Sequence, residues 1–327
     1  MLNLRFNRRS SEMRVVGLLL TTSLCALIAK ADQLVTCDNS VVQRFISIGT
    51  GDPYNTYVGF QSLAANTTGN YNSAFGYYSL RLNTTGNVNT AYGVQALFRN
   101  TTGSYNLAVG VEALASNDSG VNNTAVGPHD TLVNNTTGSG NTALGYAALH
   151  SSTSSDGNTA VGQGALYYNT TGAFNTAVGR LAGASSDTGS FNTYLGFNAG
   201  ANNGAGSDNI YLGHNAGLQQ TGSNNISIGA FAQGLSLSGD NQLSLGNIIF
   251  GNLVTGTVLI NKRQDNGTDT LQVGGSVIAT QFKLSALQTP PASSADVCAA
   301  GEIRVAPDSI YVCVAANTWR KAPLMNF

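Results

Sequence analysis

A phrase of Asn, Thr and Gly returns every seventeen residues along most of this chain. NTTGNYNSAFG occupies residues 66–76, NTTGNVNTAYG 83–93 and NTTGSYNLAVG 100–110. The firmest anchor is a Gly that follows a small or β-branched pair. It recurs as Gly59, Gly76, Gly93, Gly110, Gly127, Gly145, Gly162, Gly179, Gly196, Gly213, Gly229 and Gly246. The steps are seventeen residues, with one of eighteen and one of sixteen. A period held so long means stacked copies of one supersecondary unit.

Seventeen residues are too few for a helix pair, and Gly and Asn interrupt every few positions. Short runs bounded by Asn and Gly read as strands with tight turns. Each repeat holds a run such as TAVG, then a second such as QALF (95–98) or EALA (112–115), then the turn phrase NTTG. The expected fold is all-β: a parallel β-solenoid, or β-roll, of about twelve coils with two short strands per coil.

The phrase has a physical rationale in such a stack. Each position sits about 4.8 Å from its counterpart in the next coil. A repeated charge would repel itself there, whereas a repeated Asn can hydrogen-bond in an amide ladder. Gly supplies positive φ and close backbone approach. Val, Leu, Ile and Phe before each anchor Gly, with the Ala-Leu pairs that follow, are expected to form a thin apolar core. Thin cores stabilise weakly, so lateral association along an outer stripe of Tyr57, Phe75, Tyr92, Leu107, Tyr194 and Tyr211 is expected to add burial.

Composition excludes several functions. Only 9% of the 327 residues are charged, the net charge is -1 and 42% are hydrophobic. Disorder needs high charge and low hydrophobicity. Nucleic-acid binding needs a basic surface, and residues 50–250 hold only Arg81, Arg99 and Arg180 as basic residues.

The N-terminus has the layout of a secretory signal peptide over residues 1–31. Arg5, Arg8, Arg9 and Arg14 precede the apolar run 15–29, and Ala29-Lys30-Ala31 gives the cleavage site. The apolar run is shorter than the ~20 residues a membrane span needs. Cleavage there leaves a secreted or cell-surface protein beginning at Asp32, with no integral membrane domain. It removes Cys25 and keeps Cys37, Cys298 and Cys313, of which two can pair.

NTAVG followed by QGAL (158–166) and NTALG followed by YAAL (141–149) resemble the head repeats of YadA-like trimeric autotransporter adhesins. The resemblance covers about residues 45–250. It implies a left-handed parallel β-roll, a homotrimer, and binding to host or matrix surfaces. The family's period is shorter, and the extra residues here lie in the NTTG phrase. The C-terminus departs from that family, with neither stalk heptads nor a membrane barrel. Instead DTLQVGGSVIATQF (269–282) and GEIRVAPDSIYVCVAANTWRKAPL (301–324) resemble the distal parts of phage and giant-virus tail-fibre proteins.

The expected organisation is then a lead-in (32–50), the roll (51–250), a β-hairpin neck (251–284) turning at Asn266-Gly267, an Ala/Ser/Pro-rich linker (285–301) and a C-terminal β module (302–327). In that module EIRV and IYVCVA form a hairpin around 306–309, and NTWRKAPL adds a strand. Cys298 and Cys313 flank the hairpin and are the expected disulfide. Trp319 is expected in packing and not as a ligand platform.

Catalytic chemistry is not legible. The carboxylates Asp52, Glu112, Asp118, Asp130, Asp156, Asp187, Asp208 and Asp240 are scattered, and few share a repeat position. His129, His150 and His214 lie in different repeats at different phases, so no metal site is expected, and no cofactor motif occurs. Sequons at Asn66, Asn83, Asn100, Asn117, Asn135 and Asn169 are glycosylation acceptors if the source is eukaryotic, and otherwise read as turn phrases matching by composition. The expectation is a non-enzymatic structural or adhesive fibre protein, trimeric, with a host, matrix or glycan ligand. The alternative is an ice- or glycan-binding surface built on stacked Thr67, Thr84, Thr101, Thr136 and Thr170.

Overall fold

The computed structural model describes residues 46–48, 54–261, 271–273, 288–298, 300–307 and 309–324. The chain divides into two compact units, Met1–Gly274 and Gly275–Phe327. The signal segment 1–31, most of the lead-in, and Cys25 and Cys37 lie outside the described residues.

The first unit is a parallel β-solenoid. Strand β1 (Ile46–Ile48) pairs antiparallel with β2 (Thr56–Val58). From there each coil adds one strand beside the last: β3 (Ser73–Phe75), β4 (Thr90–Tyr92), β5 (Leu107–Val111), β6 (Thr124–His129), β7 (Thr142–Leu144) and β8 (Thr159–Val161). The ladder continues through β9 (Thr176–Val178), β10 (Thr193–Leu195), β11 (Ile210–Leu212), β12 (Ile226–Ile228) and β13 (Gln242–Leu245). Register is exact to the repeat: Ala91 pairs with Ala74 on one side and Ala108 on the other. Two antiparallel strands, β14 (Ile249–Asn252) and β15 (Thr257–Ile260), follow β13, and β16 (Leu271–Val273) closes the sheet.

Each coil has one strand where two were expected. The second run is a turn in which alternate residues enter the left-handed region. Gln95 has φ 57° and Leu97 has φ 51°, which no extended strand permits. Backbone bonds between coils survive there because the amides point alternately up and down the stack. Gln95 N donates to Tyr77 O at 2.8 Å, and Leu97 N to Ala113 O at 3.0 Å.

The inward side also differs from expectation. Along Asn89-Thr90-Ala91-Tyr92, Asn89 and Ala91 are buried while Thr90 and Tyr92 are exposed. A strand alternates its faces, so burying the Asn sends the residue before the anchor Gly outward. The core is therefore the strand Ala of each coil packed against the Leu of the Ala-Leu pair, as with Ala91, Leu80 and Leu97. Tyr194 and Tyr211, expected on an outer stripe, are fully buried inside the roll. They replace the strand Ala just where the inward Leu becomes Gly183, Gly200 and Gly217. Burial pushes the Tyr194 phenol well above its usual range, although Asn203 donates to its oxygen at 2.7 Å.

Two internal Asn rows satisfy the polar backbone that so thin a core strands away from water. In the first, Asn106 N donates to Asn89 Oδ1 at 3.0 Å, and Asn89 Nδ2 donates to Gly103 O at 2.8 Å. In the second, Asn100 Nδ2 donates to Asn83 Oδ1 at 2.8 Å, and Asn117 Nδ2 to Asn100 Oδ1 at 2.7 Å. The second row is the amide ladder that the repeated NTT implies.

The neck departs from the expected hairpin at Asn266-Gly267. Strands β15 and β16 pair in parallel, Val258 beside Leu271. The antiparallel turns fall earlier, between β13 and β14 and between β14 and β15. Residues 262–270 lie outside the described residues.

The second unit is an antiparallel three-stranded sheet, β17 (Ile303–Ala306), β18 (Ser309–Ala315) and β19 (Thr318–Pro323). The 285–301 stretch is more than a linker. Gln288 N donates to Val305 O at 2.8 Å, and Trp319 N donates to Ser294 O at 2.9 Å. Cys298 and Cys313 are disulfide-bonded with Cα atoms 6.1 Å apart. Trp319 is buried against that bridge, with the Arg304 guanidinium 4.7 Å above its ring.

Candidate functional site

With Asn, Ala and Leu committed to the interior, the outward rows carry whatever the roll presents to other molecules. Two rows come from the strands. The first reads Thr90, Leu107, Thr124, Thr142, Thr159, Thr176 and Thr193 in successive coils, and the second Tyr92, Val109, Val126, Leu144, Val161, Val178 and Leu195. No charged residue occurs in either row from β2 to β13. Tyr92, Leu144, Leu195, Leu212 and Ile228 are exposed. A flat, uncharged, largely apolar face this long exceeds the isolated apolar residues that monomer surfaces ordinarily show.

A third row flanks this face, immediately before each inner Asn. Every one of these positions from Tyr71 to Asn241 is left-handed. Several coils place Asn, Asp or Gly there, as at Asn122, Gly140, Asp208 and Asn224, which tolerate such φ. Other coils place large side chains: Tyr71 (φ 60°), Val88 (φ 57°), Tyr105 (φ 60°), Phe174 (φ 57°) and Phe191 (φ 59°). Each costs about 1–2 kcal/mol of backbone strain, and none recovers it by burial, since Tyr105 is 62% and Phe191 59% exposed. Neighbouring rings stack, Tyr54 on Tyr71 at 4.7 Å and Phe174 on Phe191 at 5.3 Å. A fourth row on the far side of the strands adds Phe60 on Tyr77 at 5.5 Å and the run Phe197, His214, Phe231.

The Thr row serves the scaffold. Thr67 Oγ1 donates to Thr84 O at 2.8 Å, Thr84 Oγ1 to Thr101 O at 2.9 Å, and Thr136 Oγ1 to Thr153 O at 2.9 Å. Thr101 and Thr170 donate to the carboxylates of Asp118 and Asp187 in the next coil. Beside this row runs an open groove of about 750 Å³ lined by Leu82, Arg99, Thr101, Ser116, Asp118, Asn134, Thr136, Ser151 and Thr153. Its lining mixes polar, charged and apolar side chains.

The anchor glycines stand in one row. Eleven of the twelve have positive φ, Gly127 being the exception. A Cβ on Gly76 would lie 2.3 Å from Gly93 O, and one on Gly93 2.2 Å from Gly110 O. From Gly59 to Gly229 their role is therefore close approach between coils, while a Cβ on Gly246 would meet nothing within 4 Å. The sequon side chains at Asn83, Asn100, Asn117, Asn135 and Asn169 are fully buried with their amide nitrogens donating to backbone or ladder oxygens.

One cluster was not legible by repeat phase. Glu112, His129 and Asp130 each offer a ligand-type atom, all within 4.8 Å of one another. The eighteen-residue step from Gly127 to Gly145, with Pro128-His129-Asp130 inside it, was the available signal.

No helix among the described residues is long and apolar enough to cross a membrane. Comparison with protein families, with curated proteins and with solved structures finds no match to this chain.

Proposed function

We propose that this is a secreted or cell-surface structural and adhesive protein. Its β-roll associates laterally as a homotrimer and holds a surface ligand through repeated outer rows. The observation that carries the reading is the uncharged strand face running the length of the roll. A second copy of the same chain is the occupant that fits it best, because the face is apolar and repeats at one coil spacing. The trimeric count follows from the resemblance to YadA-like heads. Export follows from the charged, apolar and Ala-x-Ala order of residues 1–31.

Adhesion is assigned to the strained aromatic rows. Exposed Tyr and Phe rings suit sugar rings or apolar side chains of a matrix protein, and weak contacts repeated along three chains gain avidity. This favours a glycan or protein ligand over ice, because the hydroxyls of Thr67, Thr84, Thr101, Thr136 and Thr170 already donate to backbone carbonyl or aspartate oxygens.

Light scattering on protein beginning at Asp32 tests the assembly. The expected mass is three chains, and Tyr92→Lys with Leu144→Lys should yield folded monomer. A wild-type monomer at micromolar concentration with the roll folded overturns the trimer. A glycan and matrix-protein binding screen tests adhesion, with Tyr71→Asn, Tyr105→Asn and Phe191→Asn expected to lose binding without loss of fold.

A further inference from the structure

We propose that Glu112, His129 and Asp130 form a surface site for one divalent cation of the zinc class. His129 Nδ1 lies 2.8 Å from Asp130 Oδ2, and a Glu112 oxygen completes a triangle within 4.8 Å. One imidazole nitrogen with two carboxylate oxygens is a donor set that zinc accepts, with further positions open to water.

The site sits at the one register break within the parallel ladder of the roll. Strands β5 and β6 lengthen to five and six residues, and the register shifts so that Val111 pairs with His129. The step to the next anchor is eighteen residues, and Gly127 alone among the anchors leaves positive φ. The extra residue rephases the coil. Asp130 then occupies the left-handed place above Glu112, at φ 56° over φ 58°, with its amide donating to Val111 O at 3.3 Å. Bulges re-aim side chains in this way.

Charge supplies the second, independent argument. In neighbouring coils the same place holds the neutral Gln95 and Ala147. Here two carboxylates stack one coil apart, an arrangement that repels. The roll has three basic residues between 50 and 250, and among the described residues neither carboxylate pairs with an arginine or lysine. Bound zinc would neutralise both carboxylates at once, which a single imidazolium cannot do.

The test uses the mature chain, stripped with a chelator and titrated with zinc chloride at about pH 7.5, since metal binding competes with protons for its ligands. The chain has only three His residues, so histidine-labelled NMR resolves each one. The expected result is one zinc per chain, with the His129 resonances shifting. His150, stacked on Tyr167, and His214, beside Phe197 and Phe231, should stay in place. His129→Ala and Glu112→Gln should weaken binding by roughly tenfold or more. Glu112→Gln keeps the fold because the coil below already carries Gln95 at that place, and circular dichroism checks it. Equal shifts at all three His residues, unchanged affinity in His129→Ala, or no saturable binding below millimolar zinc would each overturn the site and leave a plain His129–Asp130 pair. The result is independent of the assembly proposed above.

Discussion

Replacing Gly93 by Ala tests whether close coil-to-coil approach holds the roll together. Gly93 has φ +144°, and an added Cβ would lie 2.2 Å from Gly110 O and 2.6 Å from Gly110 C. Both atoms are backbone of the next coil, so no side chain can swing aside. Strands in a sheet are fixed about 4.8 Å apart, and relief means pulling the two coils apart. That strains the Gly93 N to Phe75 O bond of 2.8 Å on the other side. The unfavourable backbone region costs about 1–3 kcal/mol and overpacking about 1–3 kcal/mol more. Gly204→Ala is the matched control. It has φ +67° with nothing within 4 Å of the added carbon, so it costs only the left-handed penalty of about 1–2 kcal/mol. Gly93→Ala should therefore be the more destabilising by about 1–3 kcal/mol, the overpacking that Gly204→Ala lacks. Urea unfolding followed by far-UV circular dichroism gives the difference. Hydrogen exchange should show faster opening confined to the coils around 76–110, because a solenoid opens locally. Trp fluorescence is no use for the roll, since the sole Trp, Trp319, lies in the other unit. If the two variants agree within ~0.5 kcal/mol, the clash argument is wrong, because their backbone penalties are similar.

Three further outcomes are expected. Tyr194→Ala should cost about 3–5 kcal/mol in urea unfolding, and adding Gly183→Leu should restore most of it, since Leu166 already holds that place at φ 52°; no recovery would mean the two positions are not exchanging volume. Joint replacement of Cys298 and Cys313 by Ser should weaken the C-terminal unit by about 3 kcal/mol for a fifteen-residue loop, read by Trp319 emission, and an unchanged midpoint would show that the sheet does not need the bridge. Expressed in a glycosylating host, the folded fraction should carry no glycan at Asn83, Asn100, Asn117, Asn135 or Asn169, because a glycan on the amide nitrogen would break the buried ladder; an occupied site in folded protein, found by glycopeptide mass spectrometry, would refute this.

The period and its uncharged phrase were enough to read a stacked parallel roll, its anchor glycines and the C-terminal strands. They did not say which side of a three-residue strand faces in. Thr-Ala-Val can bury its Ala or its flanks, and period-two alternation fits both. The flanking Asn decides it: because Asn89 goes inward to bond the backbone, Ala91 must follow it and Tyr92 must face out. The same ambiguity put Tyr194 and Tyr211 on the outer stripe, whereas Gly183, Gly200 and Gly217 vacate the inner room that they fill. The QALF run looked like a strand because left-handed Gln and Leu carry no sequence signature. The Glu112, His129 and Asp130 cluster was invisible to repeat phase because the inserted residue shifts the phase itself.

The repeats also separate what the fold requires from what it leaves free. Inward places change only in compensated sets. Where the strand residue becomes Tyr194, the facing Leu becomes Gly183, and the ladder Asn becomes Ser186, whose hydroxyl lies 3.1 Å from the phenol. Volume is kept across the three changes, as a close-packed interior demands, while the amide ladder breaks there and leaves Asn169 Oδ1 buried without a partner. Outward places follow no such rule. The left-handed place before the inner Asn passes from Tyr105 to Asn122, Gly140 and Gly157 while the inward Ala108, Ala125, Ala143 and Ala160 stay unchanged, and Phe174 then lays its ring over Gly157, where an added Cβ would meet it at 2.7 Å. The scaffold accepts Gly or Asn there at less strain, so it does not call for the aromatic residues. A ligand or a neighbouring chain is what would select them. The places to look for binding are therefore the coils that bear strain without gaining burial, around Tyr71 and Tyr105 near one end of the roll and Phe174 and Phe191 further along it.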